Sequence, residues 1–201
     1  MTAIDPTAER NARAHQYSQE GRGDLAIPLF EEVLADRVRV LGTDHPETLA
    51  SRNNLAGAYW SAGRVGEAIP LFEEVLADRV RVLGPDHPDT LASRNGLAGA
   101  YYSAGRLGEA IPLFEEVLAD RVRVLGDDHP DTLTSRNNLA AAYQAAGRHH
   151  EAITLFKDTL EVCEEVLSPD HPLTITVREN LETLEREMNP APTSSPESSE
   201  E

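Results

Sequence analysis

Asp44-His45-Pro46-Glu47-Thr48-Leu49-Ala50-Ser51-Arg52-Asn53-Asn54-Leu55-Ala56-Gly57-Ala58-Tyr59 is followed shortly by Ala68-Ile69-Pro70-Leu71-Phe72-Glu73-Glu74-Val75-Leu76, and near-copies of both runs return along the chain. The tripeptide Asp-His-Pro stands at positions 44, 86, 128 and 170, a constant step of 42 residues. Self-similarity at one fixed period of this size marks a stacked-repeat solenoid, in which each unit buries its apolar face only against its neighbours. A chain of 201 residues has room for one elongated array rather than several globular domains.

Within the unit the residues spell two antiparallel helices. The first is expected to begin at Pro46, because His45 precedes a proline and is pushed out of the α region, while proline suits the first helical turn. Glu47, Asp89 and Asp131 then sit where a carboxylate favours the positive end of the helix dipole. Gly63, Gly105 and Gly147 are placed to close this helix with a left-handed cap. The second helix is expected over about 65–83. Its apolar positions Ala68, Ile69, Phe72, Val75, Leu76, Val80 and Leu83 recur at three- and four-residue steps and give one stripe. Pro70 and Pro112 fall early in this helix, where a missing backbone donor costs least. Glu73, Glu74 and Asp78 lie off the stripe, as a solvated outer face requires.

The two ends depart from the repeat. Residues of about 6–20 read as a first helix carrying Arg13 where later units have Leu55, Leu97 and Leu139, with Asn11 and His15 giving it a side that faces water. Residues of about 173–188 read as a last amphipathic helix with Ile175, Val177, Leu181, Leu184 and Met188 on one side, a cap for the final hairpin. The expected array is thus four helix pairs plus a capping helix over 1–188. Residues 189–201, rich in Ser, Pro and Glu, have nothing to bury and are expected to form a disordered acidic tail.

Composition narrows the partners. Apolar residues make up 40% of the chain and aromatic residues 5%, so the core has to come from Leu, Val, Ile and Ala. The formal net charge of −17 argues against nucleic acid, whose phosphates are bound by Lys and Arg, and against an acidic membrane surface. No window nears the roughly 18 uninterrupted apolar residues of a membrane span. The start, Met1-Thr-Ala-Ile-Asp-Pro, lacks the basic-then-apolar pattern of a secretory leader, and a single cysteine, Cys163, forms no internal disulfide. A cytoplasmic protein is expected.

The run Leu55-Ala56-x-x-Tyr59 followed by Ala68-x-x-x-Phe72 resembles the tetratricopeptide pattern, as do Leu97, Ala98, Tyr101, Ala110 and Phe114, and then Leu139, Ala140, Tyr143, Ala152 and Phe156. The usual unit of that family is about 34 residues. The longer unit here, with Asn-Asn-Leu-Ala and Leu-Gly-x-Asp-His-Pro, is similar to the repeats of kinesin light chains and their bacterial relatives, over residues of about 5–188. That resemblance implies an all-α, right-handed superhelical solenoid whose first helices line a concave groove. It implies a protein-interaction scaffold holding a peptide segment of a partner protein. It does not imply a motor link, because the heptad segment of kinesin light chains has no counterpart here.

Carried over by position, the resemblance makes Asn53, Asn54, Gly57, Trp60 and Ser61 groove residues, followed by Asn95, Gly96, Gly99 and Tyr102, then Asn137, Asn138, Ala141 and Gln144. An Asn amide offers a donor and an acceptor to a peptide backbone. Glycine and alanine let a ligand approach closely, and Trp60 and Tyr102 supply large flat contact area with a polar edge. Two readings of the asparagines stand side by side: they hold a peptide, or they hydrogen-bond neighbouring helices and stabilise stacking. Arg52, Arg94, Arg136 and Arg178 precede the Asn positions and are expected to form salt bridges at the seam between helices.

Catalytic, metal and cofactor chemistry are not expected. His45, His87, His129 and His171 lie one unit apart, whereas metal ligands converge on one point at about 2 Å. His149-His150-Glu151 lacks the second histidine four residues on that a zinc protease motif needs. Cys163 stands where earlier units have Arg37, Arg79 and Arg121, with no histidine placed to activate it. The alternative function is self-assembly or a spacer role, with weak self-association, or the sensor arm of a larger signalling ATPase system.

Overall fold

The computed structural model describes residues 6–189, and among these lie nine α-helices and no strand. They are α1 (Pro6–Gln19), α2 (Gly23–Leu41), α3 (Pro46–Ser61), α4 (Val65–Leu83), α5 (Pro88–Ser103), α6 (Leu107–Leu125), α7 (Pro130–Ala145), α8 (His149–Val166) and α9 (Pro172–Met188). The chain divides into two compact units, Met1–Gly126 and Asp127–Glu201. In the first, α1–α2, α3–α4 and α5–α6 form hairpins, and successive hairpins join through α2 on α3 and α4 on α5. The second is the α7–α8 hairpin with α9 laid on α8. Of the expected tail, all but Asn189 lies outside the described residues.

Each residue of the Asp-His-Pro signature has a separate task at the start of a first helix. Pro46 opens α3 at its first turn, and the Nδ1 of His45 accepts the backbone N–H of Glu47 at 3.2 Å. His87, His129 and His171 cap α5, α7 and α9 in the same way, at 3.1, 3.1 and 3.2 Å. A neutral ring with its proton on Nε2 is the form that accepts at Nδ1, and the bond satisfies one of the four orphan donors of a helix N-terminus. Asp44 completes the signature by pairing with Arg81 near the C-terminus of α4, Oδ1 to Nη2 at 2.7 Å; Asp86 pairs likewise with Arg123.

The first helices end as expected. Gly63 has φ of +74°, its N–H donates to the Trp60 carbonyl, and the Arg64 N–H reaches back to the Tyr59 carbonyl at 2.9 Å. This is the pattern in which a left-handed glycine lets the last carbonyls find donors. The chain then turns straight into the second helix.

The second helices bury a stripe that drifts from the expected one. Ala68, Ile69, Phe72 and Val75 are buried, but Val80 is 39% exposed and Arg79 takes the inward place at 3%. With 100° per residue, Arg79 continues the line of Ala68, Phe72 and Val75, while Val80 has rotated past it. The prolines also sit deeper than expected: Pro70 is five residues beyond the first residue of α4, past the first four orphan N–H groups, so one intrahelical bond is forgone.

Core residues of the first hairpin and its neighbour form one cluster of Ala14, Ala26, Ile27, Phe30, Leu55 and Ala58. In the second unit Leu133, Ala140, Ala152, Phe156, Cys163, Val177, Leu181 and Leu184 form another. Two residues expected on the buried side of α9 are instead exposed, Ile175 at 39% and Met188 at 44%. The 3.6-residue period aligns Val177, Leu181 and Leu184 against α8 but turns Ile175 about 200° away from Val177.

Candidate functional site: the face of the first helices

The arginines that precede the asparagines are committed to the hairpins. Arg10, Arg52 and Arg94 each reach a carboxylate 26 residues on, Asp36 at 2.8 Å, Asp78 at 2.7 Å and Asp120 at 2.5 Å. Val162 stands at the corresponding place in the last hairpin, and Arg136 pairs with Asp127 instead. Arg178 pairs with Glu164 at 2.7 Å. None of these is delivered to a ligand on the first-helix face.

A second arginine row is buried between hairpins. Arg79 Nη1 donates to the Asp89 carbonyl and to Ser93 Oγ, both at 2.7 Å. Burial pulls its pKa down from the ordinary arginine value, partly offset by Asp89. Arg37 makes the same bonds to the Glu47 carbonyl and Ser51, and its Nη2 also reaches the Glu47 carboxylate at 3.4 Å. In the last hairpin this polar pair is exchanged whole: Cys163 and Val177 occupy the places of arginine and serine, both fully buried. Burial pushes the Cys163 thiol up, away from the thiolate a nucleophile needs.

The residues expected to line a groove lie on the first helices, and several have one polar group engaged by a neighbouring helix. Asn53 Oδ1 accepts from Ser93 Oγ at 2.8 Å, Asn54 Nδ2 lies 3.2 Å from His15 Nε2, and Asn137 Oδ1 accepts from Asn180 at 3.1 Å. Gln144 Nε2 reaches Glu187 at 3.4 Å, and Asn95 and Asn138 are engaged as well. Tyr102 is 38% exposed. An Asn amide carries a donor end and an acceptor end, and the bonds of Asn53 and Asn54 to their neighbours each use one of the two.

The glycines do not share one role. At Gly96 a Cβ would stand 2.8 Å from Phe72, and at Gly99 it would stand 2.6 Å from the Trp60 ring. Those two glycines therefore admit aromatic rings of the preceding hairpin, rather than a ligand as expected. Trp60 crosses from α3 to α5, donates its indole N–H to Ser103 Oγ at 2.9 Å, and meets Phe72 edge-on with centroids 6.4 Å apart. Gly57 differs: beyond its chain neighbours and the adjoining backbone of α3, no heavy atom lies within 4 Å of where its Cβ would be. Around it on α3, three and four residues away on the same face, stand Asn53, Asn54, Trp60 and Ser61.

The outer edge of this face is fixed by tyrosines. Tyr59 donates its hydroxyl to Glu31 at 2.7 Å, and the Arg64 guanidinium lies 4.5 Å over the ring. Tyr101 repeats the arrangement with Glu73 and Arg106. The hydrogen bond to Glu31 raises the Tyr59 pKa; for Tyr101 burial is the larger cause. Ser93, Ser103 and the buried roles of the arginines do not stand out in the sequence. The signal lies in the 42-residue step, which places Ser18 at the position of Trp60 and so leaves Gly57 without a ring to cover it.

Among the described residues no cluster of three or more His, Cys, Asp or Glu side chains converges as a metal site, and no helix is long and apolar enough to cross a membrane.

The family model described as tetratricopeptide repeat matches residues 6–79, 53–121, 98–162 and 136–190. The chain belongs to the tetratricopeptide repeat family, an all-α repeat fold that generally serves as a protein–protein interaction scaffold, and its repeats are of the kinesin light chain-like type. Two similar crystal structures are of a Podosopora anserina putative kinesin light chain with nearly identical TPR-like repeats. One, a form with a single substitution, is 33% identical over 92% of this chain and 88% of that one, with a TM-score of 0.78. The other is 30% identical over 94% of this chain and 100% of that one, at 0.74. BtubC (BKLC) from P. vanneervenii is 25% identical over 86% of this chain and 69% of its own, at 0.71. No curated protein matches the chain.

Proposed function

We propose that this chain is a non-catalytic scaffold that holds an extended peptide segment of a partner protein along the face of α3, with one partner side chain seated at Gly57. The observation that carries this reading is the open space at Gly57, bounded on the same helix face by two asparagines, a tryptophan and a serine. Open backbone beside asparagine amides suits a peptide, whose own backbone needs one donor and one acceptor per residue. The Trp60 ring is turned across to α5, over Gly99, and so lies beside this opening without forming its wall. Arg52 and Arg94 already hold carboxylates, so recognition rests on backbone hydrogen bonds and shape rather than on pairing with an acidic motif.

The test uses a displayed random peptide library selected on the full chain. Selected peptides are then measured by calorimetry against wild type and against Gly57→Leu. The leucine Cβ meets no neighbouring atom within 4 Å and leucine is the better helix former, so the variant is expected to melt at or above the wild-type temperature, which circular dichroism checks. Binding weakened at least about tenfold, the scale of a lost anchor contact, supports the reading; equal binding to both chains refutes it. Asn53→Ala is a poorer test, because it also removes the acceptor of Ser93.

A further inference from the structure

We propose that Trp60 is a built-in plug that confines peptide docking to Gly57 by closing an equivalent notch at Gly99. This rests on the peptide-scaffold reading for its consequence, though not for its geometry. The 42-residue step maps Ser18 onto Trp60, Gly57 onto Gly99 and Ser61 onto Ser103. In the later pair of first helices all three places are used at once. The Trp60 ring lies where a Cβ of Gly99 would be, 2.6 Å from its nearest ring atom, and its N–H is held by Ser103 at 2.9 Å.

In the earlier pair the same backbone position is open. Ser18 is too short to cross to α3, nothing beyond the adjoining backbone of α3 lies within 4 Å of a Cβ at Gly57, and Ser61 is exposed. His15, whose ring stands edge-on to Phe30 at 5.0 Å, forms one wall with Asn54 but does not cover the glycine. The two glycines are thus one site in two states, and the identity of the residue at 18 or 60 decides which. A serine leaves the notch free for a partner side chain; an indole fills it from within. Trp60 acts as a specificity-determining residue that limits the first unit to a single docking point and fixes where along the face the peptide registers.

Two experiments on the full chain test this. In Trp60→Ser, the notch at Gly99 is expected to open, so that the selected peptide binds with a second equivalent per chain. That second equivalent is lost again in Trp60→Ser/Gly99→Leu, while the first is lost only with Gly57→Leu. A folded Trp60→Ser chain that still binds a single equivalent overturns the proposal. The other experiment needs no partner. In Ser18→Trp/Trp60→Ser the only tryptophan is the new one, and it is expected to cover Gly57, showing acrylamide quenching as low as that of Trp60 in wild type. A ring quenched as freely as one in solvent overturns the proposal even where no peptide has been selected. Loss of peptide binding in Gly57→Leu, together with a freely quenched indole in the Ser18→Trp/Trp60→Ser chain, would sink the plug and leave the scaffold standing.

Discussion

Gly57 and Gly99 occupy the same place in successive first helices, yet adding one methyl group to each is expected to move stability in opposite directions. Glycine in a helix interior costs about 0.8–1 kcal/mol relative to alanine. At Gly57 the new methyl meets no atom within 4 Å beyond the adjoining backbone of α3, so Gly57→Ala should stabilise by about that amount. At Gly99 the same gain is opposed, because the methyl falls 2.6 and 2.9 Å from two ring atoms of Trp60. Overpacking of a well-filled site costs about 1–3 kcal/mol, and displacing the ring strains or breaks its hydrogen bond to Ser103, worth about 1 kcal/mol. The net for Gly99→Ala is a loss of about 1–3 kcal/mol. Urea melts followed by far-UV circular dichroism give both values. Emission from Trp60, the single tryptophan, reports its displacement directly. On a Trp60→Ser background the Gly99→Ala change should turn stabilising. If Gly99→Ala stabilises wild type as much as Gly57→Ala does, Trp60 does not cover Gly99 and the account of this face is wrong.

Other perturbations read out the rest of the structure. Ser93→Val should cost about 1–3 kcal/mol by removing one of the two acceptors of the buried Arg79 and the hydroxyl that donates to Asn53, and adding Arg79→Cys, which copies the Cys163–Val177 pair, should recover part of that loss in a double-mutant cycle; strict additivity would contradict the coupling. His87→Ala removes one helix cap and should lower stability by about 1 kcal/mol in thermal or urea melts, with His87→Asn largely restoring it. The carboxyls of Asp44, Asp78 and Asp86 are held below the usual range, chiefly by hydrogen bonds from Arg81, Arg81 and Arg123. Their contribution is therefore intact above the unfolded value near 4 and lost as pH falls through the lower folded values. Tyr59 and Tyr101 are raised, so theirs is intact below about 10 and lost as pH climbs through the folded values. Melts across pH should show losses at both extremes, and Arg81→Gln should flatten the acid limb.

The repeat makes the architecture legible: period, helix pairing, the Asp-His-Pro start and the left-handed glycine close can all be read from spacing, because each is local chemistry repeated. What spacing does not reveal depends on contacts between helices and on where helical drift carries each position. Val80 reads as core and Arg79 as a charge beside it when the stripe is followed by residue type, whereas the 3.6-residue drift carries position 79 inward. Gly96 and Gly99 read as concessions to a ligand, but the rings they admit belong to the preceding hairpin. Asn53 can be placed on the right face, yet that its Oδ1 is taken by Ser93 is a matter of side-chain direction that periodicity does not encode. Ile175 and Met188 fall on the buried side of α9 by apolarity alone, whereas position on the helix leaves them exposed.

Backbone NMR of the full chain titrated with a selected peptide tests most directly whether a partner is held on α3. Amide shifts centred on Asn54, Gly57 and Ser61, saturating with the calorimetric affinity and absent in Gly57→Leu, are the expected result. Shifts confined to the second helices, for example around the exposed Val82, with α3 unmoved, would contradict it.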